Sequence, residues 1–244
     1  MMEEFKIVQL DKDSWIFDGP VGRAFLFRGT QKALLVDTTM GPGDLRAKVE
    51  KLVGTLPVIL VNTHGDSDHI GCNNQFSVTK MHPSEFAYYA VKCKKDDAIP
   101  EAVEEGDEID IGGRIFEIIY TPGHTYGSIM LLNREERFLL SGDSIDNIVF
   151  IFGPQRNLRA LIYSLKKLRD RYMEAFDIIY PAHFDLKLDK KFVLKELSCA
   201  EALLKREIEG VDPGKIPLEE PDFKPALLYM KDGAGFFDYK DLPY

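Results

Sequence analysis

Two imidazoles and two carboxylates fall within seven consecutive residues, Thr63-His64-Gly65-Asp66-Ser67-Asp68-His69. This polar segment follows the wholly apolar run Val58–Val61, which predicts a buried strand. Like charges crowded into one segment repel each other, and a bound cation would offset that repulsion. Gly65 allows the backbone to turn so that side chains on either side of it converge. The segment therefore predicts a metal-binding loop after a strand, not a site carried by a regular helix.

Three further candidate ligands lie in turn-like segments next to predicted strands. They are His124 in Thr121-Pro122-Gly123-His124-Thr125, Asp143 in Ser141-Gly142-Asp143, and His183 in Pro181-Ala182-His183. Any one of them alone would be read as an ordinary hydrogen-bonded residue. Their shared placement favours a joint metal-binding role, since imidazole and carboxylate are common metal ligands. The fifth histidine, His82, is expected to end a strand before a helix, without a metal role.

Short stretches rich in β-branched and aromatic residues predict strands in both halves of the chain. They cover residues 5–10, 14–17, 23–27, 33–37, 58–61, 114–120, 128–132, 137–140, 149–152 and 177–180. The first four are expected to form a β-meander. Helical spacing covers residues 42–52, 158–173 and 190–209. Two strand-rich halves, each finished by helices, predict an α/β protein with a four-layer αββα sandwich.

A single domain over residues 1–244 is expected, because 45% of the residues are apolar and a chain of this length can bury one sizeable core. Residues 186–244 are predicted to form a C-terminal helix and hairpin extension. A Pro-rich acidic connector over 210–225 would precede the hairpin over 226–239. Aromatic residues of this tail are expected to complete a core or to allow a homodimer, namely Tyr229, Phe236, Phe237, Tyr239 and Tyr244.

Taken in order, the four motifs resemble those of the metallo-β-lactamase superfamily over roughly residues 10–185. The family signature HxHxDH corresponds to His64–His69, and the later motifs correspond to the segments that contain His124, Asp143 and His183. The resemblance implies the four-layer αββα fold and a centre with two metal ions. It assigns His64, Asp66 and His124 to one ion and Asp68, His69 and His183 to the other, with Asp143 bridging.

The sequence departs from the family signature at Asp66, where the usual pattern has a second histidine. A carboxylate makes this metal position harder and more anionic, which favours iron or manganese more than three histidines would. Flavodiiron oxygen reductases of the superfamily carry glutamate at the corresponding position, one methylene longer than aspartate. Two divalent ions are expected, namely zinc, with iron or manganese as alternatives.

The function implied by the resemblance is that of a dinuclear metal-dependent hydrolase. A metal-bound hydroxide would attack a small ester, thioester or lactone-type substrate, and a metal ion would stabilise the charge that develops on oxygen. Asp68 is the candidate catalytic residue, since its second oxygen can orient the hydroxide. Asp37, at the end of a predicted strand, is expected either to orient a ligand or only to form the turn there.

Two other functions stay open at this point. The carboxylate of Asp66 is compatible with a diiron redox protein that reduces oxygen or nitric oxide, which would need a separate electron donor. A non-catalytic metal-binding module is the third alternative, because a fold does not fix a function. Bound iron with redox-dependent optical bands would favour the redox protein, and active protein loaded only with zinc would count against it.

Composition restricts the partners and the location. A formal net charge of −9 disfavours nucleic acid, whose phosphates are bound by clustered Lys and Arg. No apolar stretch approaches the roughly 20 residues that span a bilayer, and the N-terminal residues lack a signal-peptide pattern. A cytoplasmic protein without membrane contact is therefore expected, with a small-molecule substrate. Basic residues after His183 could receive an anionic substrate, namely Lys187, Lys190 and Lys191.

Overall fold

The structure is a computed structural model that describes residues 5–41, 43–151 and 155–208, together with the backbone of residues 235–237. The chain divides into two compact units, Met1–Ile119 and Tyr120–Tyr244. The single domain over residues 1–244 stays a prediction. Among the described residues, no helix combines the length and the apolar character that crossing a bilayer requires.

The first unit contains a seven-stranded sheet whose strands follow one another in chain order. These are β1 (Lys6–Asp11), β2 (Ser14–Asp18), β3 (Arg23–Arg28), β4 (Ala33–Val36), β5 (Val58–Val61), β6 (Val78–Met81) and β7 (Ile99–Ala102). The first four form the predicted antiparallel meander, and β4 to β7 run parallel. Val36 pairs with Val61, so β4 and β5 end side by side. Asp37 therefore lies beside the polar segment that follows β5.

The helices of the first unit are α1 (Leu45–Val53), α2 (Ser67–Ile70) and α3 (Phe86–Lys92). The prediction of a helix over 42–52 placed its start too early, because Asp44 is the N-cap and lies outside the helix. The buried face of α1 belongs to a core that it shares with side chains of β2 to β5. Burial of this apolar face is the main source of the helix's stability, since short helices are marginal alone.

Each unit contains further paired strands. In the first unit, β8 (Glu108–Asp110) pairs antiparallel with β9 (Ile115–Tyr120). In the second unit, four strands lie side by side in the order β10 (Ile129–Asn133), β11 (Phe138–Gly142), β13 (Ile178–Pro181) and β14 (Leu188–Asp189). β11 and β13 are parallel, with Gly142 opposite Pro181. The residues that follow these two strands, which include Asp143 and His183, therefore emerge at the same edge.

The second unit also contains two helices that pack against each other. They are α4 (Leu158–Arg171) and α5 (Phe192–Leu204). The predictions over 158–173 and 190–209 identified both helices and extended them too far. A short strand β12 (Val149–Ile151) pairs in parallel with β15 (Gly235–Phe237). The predicted connector over 210–225 lies outside the described residues. So do the rest of the predicted hairpin and the side chains of the tail aromatics.

Candidate metal centre

The first cluster of candidate ligands consists of His64, Asp66, Asp68 and His69, all in the first unit. The segment from His64 to His69 was predicted to be non-helical, and that prediction is wrong for its second half. Asp68 and His69 lie on the single helical turn α2, where His69 N donates to Asp66 O at 2.9 Å. The turn brings the rings of His64 and His69 to a centroid distance of 4.0 Å.

Asp37 organises both histidines of the first cluster. Its Oδ2 lies 2.9 Å from His69 Nδ1 and accepts a hydrogen bond from Thr63 Oγ1 at 2.8 Å. Thr63 Oγ1 lies 3.1 Å from His64 Nδ1 and can accept its proton. The network places the proton of each ring on Nδ1, which leaves the Nε2 lone pair for a metal ion. The expectation that Asp37 orients a ligand agrees with these contacts.

The second cluster consists of His124, Asp143 and His183, all in the second unit. His124 Nδ1 donates to the carbonyl oxygen of Phe150 at 3.0 Å, so Nε2 carries the lone pair that would bind a metal, and Arg156 Nη2 lies 3.3 Å from that atom. The two oxygens of Asp143 face different histidines. Oδ2 lies 3.5 Å from His124 Nε2, and Oδ1 lies 3.2 Å from His183 Nε2. A carboxylate placed in this way has the geometry of a bridging ligand.

Spacing of the donor atoms tests whether the clusters fit metal ions. In the first cluster, His64 Nε2 lies 3.3 Å from Asp66 Oδ2, and His69 Nε2 lies 3.7 Å from Asp68 Oδ2. Ligand atoms about 2.1 Å from a tetrahedral ion are about 3.4 Å from one another. The nitrogen–oxygen distances in both clusters, 3.2 to 3.7 Å, bracket this value. The donor sets therefore fit divalent ions bound by imidazole and carboxylate.

Comparison with known proteins identifies the family. The profile described as the Metallo-beta-lactamase superfamily matches residues 18–170, which is more than half of the chain. The chain belongs to the metallo-β-lactamase superfamily. The resemblance inferred from the four motifs is thus confirmed for the family, and the matched residues contain the first three of these motifs.

Curated relatives of this superfamily member include two named hydrolases. The acyl-coenzyme A thioesterase MBLAC2 of Gallus gallus is 27% identical over 199 residues, which cover 66% of this chain and 72% of that protein. A hydroxyacylglutathione hydrolase of Bdellovibrio bacteriovorus is 32% identical over 147 residues, 59% of this chain and 53% of that protein. Family membership, these relatives and the two clusters confirm the predicted enzyme class, a metal-dependent hydrolase.

Solved structures confirm the predicted fold class of the superfamily member. A metallo-beta-lactamase from Pontibacter korlensis aligns with a TM-score of 0.65 and 17% identity, over 81% of this chain and 99% of that one. A beta-lactamase domain protein from Burkholderia ambifaria aligns with a TM-score of 0.67 and 18% identity, over 85% and 76%. At such identities the likeness concerns the fold alone.

Asp146 supports the second cluster, although the sequence analysis gave it no role. This fully buried carboxylate accepts a hydrogen bond from His183 N at 2.9 Å. Burial raises the pKa of Asp146 well above its ordinary value, nearby His183 lowers it, and nearby Asp143 raises it. The next residue, Asn147, exchanges two hydrogen bonds of 3.0 Å with Asp185. Asp146 and Asn147 thus fix the backbone at His183 and at Asp185, two residues further along the chain.

Three other residues contact the clusters and carry no motif of their own. Tyr88 OH donates to Asp66 Oδ1 at 2.5 Å, and Glu85 Oε1 accepts from Gly65 N at 2.8 Å. Arg156 Nη2 lies 3.3 Å from His124 Nε2. Each lies at least 20 residues from its partner along the chain, so no local sequence motif could have predicted the contact.

The basic residues after His183 do not act as one group. Lys190 Nζ lies 3.1 Å from Asp177 Oδ1 and donates to Met173 O at 3.2 Å, so it serves the local structure. Arg137 and then Lys190 lower the pKa of Asp177 to about 2. Lys187 and Lys191 are exposed. The prediction that basic residues here receive an anionic substrate therefore stays open for Lys187 and Lys191 only.

Proposed function

We propose that the chain is a dinuclear metal-dependent hydrolase that cleaves small thioesters, with esters and lactone-type substrates as related alternatives. The observation that carries the proposal is the spacing of four imidazole–carboxylate pairs at 3.2 to 3.7 Å, which suits ligands of shared ions. In this proposal His64, Asp66 and His124 would hold one ion. Asp68, His69 and His183 would hold the other, and Asp143 would contribute to both.

Two divalent ions at these ligands would supply a hydroxide nucleophile at neutral pH and polarise the substrate carbonyl. The protein's own contribution is orientation. Asp37 contacts His69 directly and His64 through Thr63, and it thereby keeps Nε2 of both rings as the metal-binding atom. Asp146 holds the backbone of His183. These fixed contacts mean that His64, His69 and the backbone of His183 do not have to reorganise during the reaction.

Asp68 is the proposed catalytic residue of the first cluster. The distance of 3.7 Å between its Oδ2 and His69 Nε2 is the longest of the four pairs. The Asp68 side chain is 22% exposed, whereas that of Asp143 is 10% exposed. Asp68 is thus the carboxylate best placed to meet solvent and to accept the proton of the attacking water at one carboxylate oxygen.

Thioesters come first among the substrates because of the relatives. Their names denote hydrolysis of acyl-coenzyme A thioesters and of hydroxyacylglutathione. The sequence analysis led to the expectation of hydrolysis at a carbonyl group, which thioesters, esters and lactones share. Zinc suits the imidazole and carboxylate donors, and the added carboxylate of Asp66 keeps iron and manganese as alternatives.

The position of Arg156 supports the proposal that the substrate carries a negatively charged group. Its partly buried guanidinium lies 3.3 Å from the ligand nitrogen His124 Nε2. Asp143 Oδ2 lies 3.5 Å from the same nitrogen and is one anion near this guanidinium, and an anionic group of a bound substrate would be a second. Carboxylate and phosphate are the groups that match its planar set of donors. We therefore propose that the acyl part of the substrate carries an anionic group near the scissile carbonyl.

The test combines metal analysis with a substrate panel. Protein purified without added metal is expected to hold about two divalent ions per chain, and chelation is expected to abolish turnover of acyl-coenzyme A and acyl-glutathione thioesters. Asp68→Ala and His124→Ala should each lose metal and activity together. Full activity in a metal-free preparation would refute the proposal. Iron with redox-dependent optical bands and no hydrolysis would favour the diiron alternative.

A further inference from the structure

We propose that Tyr88 is a positioning residue that makes Asp66 a one-oxygen metal ligand. The inference rests on the proposed function, because it assumes that Asp66 binds an ion. Asp66 stands where the family signature has histidine, which offers a single donor atom. A carboxylate offers two oxygens, so the substitution needs something that restricts it to one. The structure assigns this task to Tyr88.

The two oxygens of Asp66 have different partners. Oδ1 accepts a hydrogen bond of 2.5 Å from the Tyr88 hydroxyl, and Oδ2 lies 3.3 Å from His64 Nε2. A short hydrogen bond from a phenol to a carboxylate is among the stronger kinds and draws negative charge towards the donor. Oδ1 is therefore occupied, and Oδ2 is the oxygen left for the ion that His64 binds.

The fold brings Tyr88 to Asp66 by a close approach of α3 to the ligand segment. A Cβ on Gly65 would lie 3.1 Å from Glu85 Oε1 and 3.4 Å from Tyr88 Cδ1, so glycine at this position leaves room for the helix. Gly65 N donates to Glu85 Oε1 at 2.8 Å, which ties the segment to the start of α3. The hydroxyl of the buried Tyr89 donates to Ala98 O at 2.8 Å and anchors the same helix through the residue next to Tyr88.

This arrangement makes the pair of Asp66 and Tyr88 chemically similar to the histidine that it replaces. One oxygen binds, and the hydrogen bond reduces the charge on the carboxylate. Without Tyr88, both oxygens of Asp66 could bind, which would raise the coordination number and make the site harder. Harder, higher-coordinate sites favour manganese over zinc. Tyr88 thus tunes the choice of metal as well as the geometry.

The experiment uses cobalt(II) and zinc with the full chain and does not depend on turnover. Tyr88→Phe removes only the hydroxyl. It is expected to weaken zinc binding about 10- to 100-fold, as is usual when a partner of a metal ligand is lost. The visible absorption of the cobalt(II) form should fall, since cobalt with more than four ligands absorbs more weakly. The ratio of manganese to zinc affinity should rise.

Tyr89→Phe is the matched control, because it removes the neighbouring hydroxyl of the same helix. Tyr89 contacts Ala98 and Asn73 and not Asp66, so this variant should lower the Tm while keeping the cobalt(II) spectrum of the native protein. A second control adds Tyr88→Phe to Asp66→His, where no carboxylate is present to restrict. In that background the loss of the hydroxyl should change zinc affinity less than about 2-fold, within the usual error of additivity.

The outcomes separate this inference from the proposed function. If native protein binds two ions and Tyr88→Phe has the native cobalt(II) spectrum and zinc affinity, Tyr88 does not position the ligand and only this inference is wrong. If native protein and Asp66→Ala bind zinc equally, Asp66 is not a ligand and the inference also fails. If native protein binds no divalent ion, the proposed function fails together with it.

Discussion

The carboxylate of Asp37 holds the ring of His69 through a contact of 2.9 Å between Asp37 Oδ2 and His69 Nδ1. The two residues come from different strand ends, since Asp37 follows β4 and His69 lies on α2 after β5. Asp37 has a φ of 62°, a left-handed backbone conformation that aspartate and asparagine adopt more readily than most residues. Backbone and side chain together place this carboxylate under the ligand segment.

Replacing Asp37 should therefore weaken metal binding without breaking the turn. Asp37→Asn keeps a residue that tolerates the left-handed backbone, but it loses the charge beside His69. If its amide oxygen replaces Oδ2, its NH2 group faces Thr63 N, a donor from which Asp37 Oδ1 accepts at 2.8 Å. We expect zinc affinity to fall about 10- to 100-fold, measured by competition with a coloured chelator. Asp44→Asn is the control, because asparagine also caps a helix and Asp44 caps α1. Equal affinity of Asp37→Asn and native protein would show that the contact does not orient the ligand.

Asp143 gives a second prediction, since each of its oxygens faces a different histidine. Asp143→Asn retains the size of the side chain and loses the charge and one acceptor. Metal content is expected to fall from about two ions to about one or none per chain, with activity reduced at least about 100-fold. Asp177→Asn is the control, because Asp177 pairs with Arg137 at the surface. Two retained ions in Asp143→Asn would rule out bridging.

Arg156 leads to a prediction about the substrate. Arg156→Gln removes the guanidinium and its charge, and hydrogen bonds to charged groups contribute about 1.5–3 kcal/mol. For a thioester with a carboxylate near the carbonyl, KM should rise about 10- to 100-fold, and a neutral thioester of the same length should be little affected. Arg159→Gln, at an exposed position of α4, serves as the control. An equal change in KM for both thioesters would argue against anion recognition.

Sequence reasoning identified candidate ligands that the structure brings close together where they share a short segment or follow a recognisable strand. His64, Asp68 and His69 fall within six residues, and the apolar run of β5 points directly to them. The helical turn α2 was missed because four residues are too few to show a helical period. β7 was missed for a related reason, since it spans only Ile99–Ala102 and contains a proline.

The supporting residues could not be predicted from the sequence, because only tertiary packing brings them to the ligands. Tyr88 lies 22 residues from Asp66, and Arg156 lies 32 residues from His124. Neither has a neighbour pattern that distinguishes it from an ordinary helix or loop residue. Asp37 was the exception, because it ends a predicted strand and resembles a position of the family beneath the metal-binding segment. The parallel pairing of β4 with β5 is what places it there.

Gly123 connects the fold to the second cluster, since it immediately precedes His124. Its φ is 152°, and a Cβ at this position would lie 2.5 Å from Leu161 Cα in α4, a backbone atom that cannot move aside. Gly123 O also accepts a hydrogen bond of 2.7 Å from Asn157 N, at the N-cap of α4. The ligand loop and the helix are thus packed with no room for a side chain.

Gly123→Ala should consequently destabilise the protein by about 3 kcal/mol, from steric overlap and an unfavourable backbone conformation together. Gly106→Ala is the matched control, since Gly106 has a φ of 88° and no atom within 4 Å of the added Cβ. It should cost only about 1 kcal/mol, because backbone strain acts there alone. Denaturant unfolding of the metal-free proteins measures both values. Equal losses would mean that α4 can shift away from the loop, so that packing against Leu161 does not fix the position of His124.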